Sequence, residues 1–347
     1  MDSNSDDSIS DENESTISLY ELNNSSSEDG DSLVEELDQN SISEWKWKVD
    51  NSHVSTSFNY FDGHALDNSN TISPTDSLYK FISQEVIELI TDQTNIYGKQ
   101  RCVQQGDDCT KWREVDEIEI LTFLGILFIM GFHKLPRIRD HWSNDRNLFT
   151  PAVANIMTRD EFYRLVSNIH LADSSKMPSK ESRDYNKLNK VNDFLNLLRR
   201  NFQQNYELGS YISIDESIIK FKGRSSIKQY GPLKPTKRGY KVWVLSESTT
   251  RYVYNFEIYT GKNTRRHLSL GEHVVMTLIH EIDLKNCQLF FEFNSLPLLY
   301  NLKKMNVPAM GTICSDRKYF PLELKKEEKL ERGGYRYMTS NGISVIK

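Results

Sequence analysis

The apolar residues of this chain change their spacing near residue 205, and that change limits the fold more than any other feature of the sequence. Before it, apolar side chains recur every three or four positions. Leu78, Phe81, Ile82, Val86, Leu89 and Ile90 mark one face of a helix starting near Ser77 and running to about residue 100. Further helical spacing follows at about 115–132, 151–157, 159–171 and 190–205. Pro151 suits the first turn of one of these, and Thr158 is placed to cap the next ahead of Asp160 and Glu161. Beyond residue 205 the period falls to two. "YISIDESIIKF", "GYKVWVLSES" and "YVYNFEIYTG" predict three successive strands joined by short turns, an antiparallel meander.

The pattern continues with a helix in "LGEHVVMTLIHEI", a strand in "CQLFFEF", a helix in "LPLLYNLKKM" and a strand in "VPAMGTI". Three strands, a helix, a strand, a helix and a strand is the order expected of a ribonuclease H-like α/β sheet, and spacing alone admits other α/β arrangements. The expected organisation is a tail at 1–45, an extended linker at 46–77, a helical region at 78–207, the α/β core at 208–314 and a polar, charged segment at 315–347. "EWKWKVD" and "SFNYFDGHALDNSNTISPTD" set aromatic residues among polar ones, as in a strap lying on a surface.

Charge divides the chain in the same way. Residues 1–45 hold 14 Asp or Glu and no Lys or Arg, amid Ser and Asn, a composition that predicts a disordered acidic tail. Without those 14 acids, 35 acidic residues face 43 basic ones, so residues 46–347 carry a net charge of about +8. Cys102, Cys109, Cys287 and Cys314 are too few and too scattered for a disulfide framework, and none forms a CxxC pair. The apolar run Leu121–His133 is shorter than the roughly 20 residues of a membrane span. Neither a secretory signal nor a membrane association is expected, and the reading is of a soluble intracellular protein.

The candidate chemistry lies in the alternating half. Asp215 stands mid-strand in "ISIDESI", and Glu292 follows Phe290 and Phe291 at the expected end of the fourth strand. A carboxylate in an apolar strand costs free energy unless it is paired or holds a metal. Enzymes that cut phosphodiesters on such sheets use two divalent ions ~4 Å apart, held by several converging carboxylates. The plainer readings are an edge-strand Asp paired to a Lys and a solvated strand end. From Lys220 to Arg266 there are 12 Lys or Arg against Glu247 and Glu257. Such a run is commonly a solvated face. Here Phe221, Tyr230, Tyr240 and Trp243 are interleaved with it, and Gly223, Gly231 and Gly239 allow close backbone approach, as a phosphate-binding surface requires.

"SIDESIIKFKGRSSIKQYGPLKPTKRGYKVWVL" followed by "YVYNFEIYTGK" resembles the first catalytic segment of the piggyBac transposases and the transposable element-derived proteins related to them. Upstream, "ELITDQTNIYGKQ", "LTFLGILFIMGFHKLPRIRDHWS" and "MTRDEFYRLVSNIHLAD" extend the resemblance, and "LFFEFNSLPLLYNLKKMNVPAMGTICSDRKYFP" is similar to the second catalytic segment. The resemblance implies a ribonuclease H-like core with three magnesium-binding aspartates, interrupted by an inserted domain of which residues 315–347 are expected to be a truncated part, and embedded in helical DNA-binding and dimerisation parts, working in the nucleus. Asp215 matches the first aspartate. Glu292 occupies the place of the second, with two residues missing before Ser295, and neither the third aspartate nor the cysteine-rich zinc domain is recognised in this sequence. Asp316 falls outside the family's metal site.

These departures predict a DNA-binding protein that is not a competent transposase, with vestigial metal ligands at Asp215 and Glu292 and magnesium relevant only if activity remains. Lys222, Arg224, Lys228, Lys237, Arg238 and Lys241 are the expected phosphate contacts. Two alternatives stay open: a fragment of an active element with residual metal-dependent nuclease activity, and an interaction protein that dimerises with itself or with related transposases.

Overall fold

The helical half begins at a reciprocal cap. The Ser73 hydroxyl accepts from the Asp76 amide (3.1 Å), and the Asp76 carboxylate accepts from the Ser73 amide (3.2 Å), opening helix α1, Pro74–Phe81. The single helix expected from Ser77 to about residue 100 is instead two, because α1 stops at Phe81 and α2 spans Gln84–Gln104. Ser83 is extended between them. The carbonyls freed at the break are satisfied from helix α6, Asn192–Gln204, and the residue that follows it. Asn201 Nδ2 donates to the Phe81 carbonyl (2.8 Å) and to the Ser83 hydroxyl (3.1 Å), and Asn205 Nδ2 donates to the Lys80 carbonyl (3.0 Å).

This computed structural model describes residues 45–49, 60–66, 73–106, 108, 112–182, 184–261, 269–280, 282–326 and 330–347. The acidic tail up to residue 44 and much of the linker that follows it lie outside the described residues, as does Cys109. The chain divides into two compact bodies: Tyr60–Lys262, and a second formed by Asn263–Lys347 with the segment before Tyr60.

In the first body, α2, α3 (Glu117–Phe132), α4 (Pro151–Ala154) and α5 (Arg159–Asn168) enclose an apolar core of Val86, Ile90, Ile120, Phe123, Phe162 and Leu165, among others. Asp116 and Thr158 cap α3 and α5 through the amides of Glu119 (2.8 Å) and Glu161 (3.2 Å). No described helix is long and apolar enough to cross a membrane. One polar knot ties these helices. Arg164 lies 5.0 Å over the Trp112 ring, donates to Glu119 (2.8 Å) and to the Arg113 carbonyl (3.1 Å), and pairs with Glu161. The hydrogen bond from Arg164 is the main reason the Glu161 carboxyl is held down at about 2.

A short strand β1, His64–Ala65, pairs antiparallel with β2, Tyr206–Glu207, which brings the chain to β3, Tyr211–Lys220. β3 pairs antiparallel with β5, Arg238–Glu247. The other edge of β5 carries β6, Val253–Ile258, and the two-residue β4, Gln229–Tyr230. Helix α6 covers this sheet, packing Leu195 and Phe194 with Ile227, Tyr240, Phe256 and Ile258. β5 ends on a buried Glu247, whose Oε2 accepts from the Tyr206 hydroxyl (3.0 Å) and from the Thr250 amide (3.0 Å) and hydroxyl (2.6 Å).

In the second body, α7 (Leu270–Ile279) precedes β7 (Gln288–Phe291), α8 (Leu296–Lys304) and β8 (Ala309–Gly311), with β7 and β8 parallel. Glu272 of α7 is buried against Asn301 of α8 (2.8 Å), and burial pushes its carboxyl up. The short helix α9, Leu322–Lys325, leads to a hairpin of β9 (Tyr337–Ser340) and β10 (Ile343–Ile346). Residues 45–49 of the strap join this body: Lys48 bridges Thr339, the Trp47 indole donates to the Tyr319 carbonyl (3.0 Å), and Trp45 stacks on Trp47 and Tyr319.

Replacing Asn201 by Ala removes the donor for two partly buried acceptors, so urea unfolding should show a loss of about 1–3 kcal/mol. Amide exchange at residues 82–84 should quicken in that variant beyond the global loss. The Arg164–Glu161 pair sets a pH window. A carboxylate depressed from 4.5 to about 2 contributes stability that is fully present above pH 4.5 and is lost as pH falls toward 2. Arg164 also holds down the Glu119 carboxyl, which burial raises, so the stability gap between the wild type and Arg164→Met should be widest near pH 7 and close as pH falls in acid titrations of thermal unfolding.

Candidate functional site

Alternation along β3 sets the site. Ile212 and Ile214 point inward and are buried, so Asp215 points the other way and is exposed, opposite Val244 of β5. Its Oδ1 accepts from the Glu216 amide at 2.6 Å. Glu216 is half-buried and bonded to Lys241 Nζ (2.7 Å), with Lys234 Nζ at 3.6 Å. Lys241 Nζ also lies 4.0 Å from the centre of the Trp243 ring, so its charge is met from two sides.

Glu292 stands one residue beyond β7 in the second body, and it is exposed. Its carbonyl accepts from the Thr312 hydroxyl (2.8 Å), which fixes the turn after the strand. Magnesium is the ion the piggyBac resemblance implies, and a two-ion centre needs several carboxylates converging on one point. Among the described residues, no three His, Cys, Asp or Glu side chains come together in that way. Neither body, among its described residues, supplies such a donor set on its own.

The basic stretch folds into something more definite. Lys220 and Lys222 at the end of β3, Lys228 beside β4, and Lys237 and Arg238 entering β5 line one open cavity of about 540 Å³, with Tyr230 in its wall. None of the residues lining it is acidic. Lys228 Nζ donates to the Gly223 carbonyl (2.8 Å), and the Gly231 amide donates to the Lys237 carbonyl (2.8 Å), so the connections forming the walls are tied back on themselves. The Arg238 guanidinium sits 5.2 Å over the Tyr230 ring. Of the six cations singled out in the sequence, Lys222, Lys228, Lys237 and Arg238 line this cavity, Arg224 is exposed on the loop between β3 and β4, and Lys241 lies apart, engaged by Glu216.

The interleaved aromatic residues divide differently. Trp243 is buried, and Phe221 stacks on Tyr240 at 4.8 Å. Tyr230 remains 55% exposed. Gly239 faces the chain itself: a Cβ there would stand 2.1 Å from the Ile219 carbonyl of β3. Sequence reasoning passed over Lys220 and the pairing of Glu216 with Lys241. Cross-strand placement carries that pairing, since Glu216 lies opposite Trp243 and Ile218 opposite Lys241.

Residues 73–347 match the model of the family described as Transposase IS4. Human piggyBac transposable element-derived protein 3 is 31% identical over 287 residues, covering 79% of this chain and 46% of that protein. Human piggyBac transposable element-derived protein 2 is 27% identical over 296 residues, covering 82% of this chain and 48% of that protein. The chain thus spans about half the length of the curated relatives it matches. Among solved structures, it is similar to the piggyBac transposase synaptic complex with hairpin DNA, determined by cryo-EM. The TM-score is 0.66 at 26% identity, covering 80% of this chain and 58% of that one. The fold is the ribonuclease H-like one of DDE transposases, preceded by a largely helical region.

The two kinds of lysine should separate by mutation. Lys241→Met leaves the half-buried Glu216 without its close partner and should cost about 1–3 kcal/mol in urea unfolding. Lys222→Ala, on an exposed side chain, should stay within about 0.5 kcal/mol of the wild type.

Proposed function

The chain belongs to the Transposase IS4 family, in its piggyBac-derived branch, and we propose that this polypeptide binds duplex DNA without catalysing strand transfer. The observation that carries the binding half is the cavity rimmed by Lys220, Lys222, Lys228, Lys237 and Arg238 with no acidic residue in its lining. Cations placed together without carboxylates repel one another, and a phosphate backbone offsets that repulsion while releasing its own counterions. The exposed Arg224 extends the same surface. The similar solved structure is of a transposase in a synaptic complex with hairpin DNA, which supports this reading by kinship.

The catalytic half rests on the carboxylates. Glu292 carries one methylene more than the aspartate it replaces in the family pattern, and Asp215 is not part of any three-ligand group among the described residues. Misplacing a reacting group by about 1 Å costs on the order of 100-fold in rate, so an incomplete set leaves no useful turnover. Nuclear localisation and self-association are part of the same proposal, and the synaptic complex of the similar transposase supports the second by kinship.

Binding to blunt duplex DNA should weaken steeply with salt. Replacing Lys222, Arg224 and Lys237 together by Ala should flatten the slope of log affinity against log salt by about 2.7, roughly 0.9 for each phosphate no longer neutralised. A flat wild-type response would discard the DNA-binding half. Incubating DNA with the protein in magnesium or manganese, beside an Asp215→Ala control, should give no cleavage that depends on Asp215. Cleavage that disappears in the control would instead establish the residual-nuclease reading.

A further inference from the structure

A duplex presents its phosphates along a ridge, and a flat row of cations is enough to meet them. The cavity beside β4 is built otherwise. Its cations come from three separate pieces of chain, the end of β3, β4 with its approach, and the start of β5, and they surround a space of about 540 Å³. That volume lies within the ~300–1,000 Å³ usual for small-ligand sites. Among the described residues, no carboxylate pairs with Lys220, Lys222, Lys228, Lys237 or Arg238. Glu216, the acid on the same strand, is engaged by Lys241 and Lys234. The walls are fixed by backbone bonds, from the Gly231 amide to the Lys237 carbonyl and from the Phe221 amide to the Arg238 carbonyl (3.3 Å). The backbone points from which the cations extend therefore stay gathered when nothing is bound.

We propose that this cavity is a discrete site for a compact polyphosphate anion, of the kind carried by a nucleoside triphosphate. Three or more negative charges within a few bonds of one another match cations converging from three walls. The Thr236 hydroxyl in the lining adds a neutral donor, and the half-exposed Tyr230 ring, steadied by Arg238, offers a face for a base. The inference goes beyond DNA binding and does not need it. Because the cations are shared, a polyphosphate in the cavity competes with a duplex on the same surface.

Titration calorimetry on the full chain, in low salt with chelator present, tests this with inorganic tripolyphosphate, ATP and AMP as probes. Tripolyphosphate and ATP should each bind once per chain, and AMP at least about tenfold more weakly, a difference of about 1.4 kcal/mol. Lys222→Glu combined with Lys237→Glu should weaken tripolyphosphate and ATP at least about tenfold. Lys180→Glu combined with Lys285→Glu, an equal change of charge on exposed residues elsewhere, should stay within about twofold. ATP binding more tightly than tripolyphosphate, with the advantage lost in Tyr230→Ala, would identify a nucleotide as the source of the phosphates. Equal affinities would identify phosphate alone, and either result supports the site. Equal weakening by the two charge-reversed pairs, or AMP binding as well as ATP, would overturn it. Retained duplex binding with no bound tripolyphosphate would overturn it too, and would leave the DNA-binding reading standing.

Discussion

The antiparallel pairing of β3 with β5 is the interaction on which the rest of the functional surface depends. It runs from Ile212 opposite Glu247 to Lys220 opposite Gly239. A slip of one residue would turn Ile212 and Ile214 outward and Asp215 inward, exchanging apolar burial for an unpaired buried charge. The register is held at both ends. At one end Glu247 is buried among the donors of Tyr206 and Thr250. At the other, Gly239 lets the two backbones close to a distance that no side chain permits. Between them, Lys241 reaches Glu216 across the strands. The outward face of Asp215 and the mouth of the basic cavity both follow from that register.

The same pairing separates lysines that look alike in the sequence. Lys241 lies within β5, where the strand's pleat aims it at the Trp243 ring and Glu216, and its charge is consumed in holding the sheet. Lys222 and Lys237 lie just off the strand ends, where the chain leaves the pleat, and they are exposed. Lys228 is intermediate, lining the cavity while closing the loop through the Gly223 carbonyl. A charge count over residues 220–266 sums these roles, and only the strand register tells them apart.

The strands of the alternating half were legible because each carries its own signal. Tyr211–Lys220 and Val253–Ile258 lie inside the segments that alternation marks, and in β3 the buried Ile212 and Ile214 alternate as expected. The helix break at Ile82–Ser83 was not legible, since the side chain that compensates it, Asn201, is more than a hundred residues away. The C-terminal hairpin was missed for a different reason. "YMTSNGISV" alternates about an Asn-Gly pair, and Asn341 (φ 52°) and Gly342 (φ 69°) form the left-handed turn such a pair favours, so the signal was there beneath the polar composition. The interleaved aromatic residues misled in the opposite sense. Spacing among lysines resembled a stacking surface, but burial of Trp243 and the pairing of Phe221 with Tyr240 leave Tyr230 as the outward ring of the four. For the candidate site, the cations were readable as a cluster. Their convergence on one cavity was not, because it depends on how β4 folds back onto β5.

Binding and catalysis tolerate sequence drift to different degrees, and the two halves of the proposed function follow from that difference. A cation still attracts a phosphate when displaced by several ångströms, since screening at physiological salt acts over roughly 8 Å. A pair of divalent ions needs each carboxylate placed within a fraction of an ångström, and one lengthened side chain is enough to spoil the geometry. The fold itself places no constraint on Asp215 or Glu292. Asp215 and Glu292 are both exposed, so neither is held in place by the cost of burying a charge, and changing them leaves the apolar packing of Ile212, Ile214 and Phe291 intact. The basic cavity stands on the same strands as Asp215 but asks of them only that the register hold. A sheet of this kind can keep its register, and the positive surface it displays, whether or not its carboxylates act together.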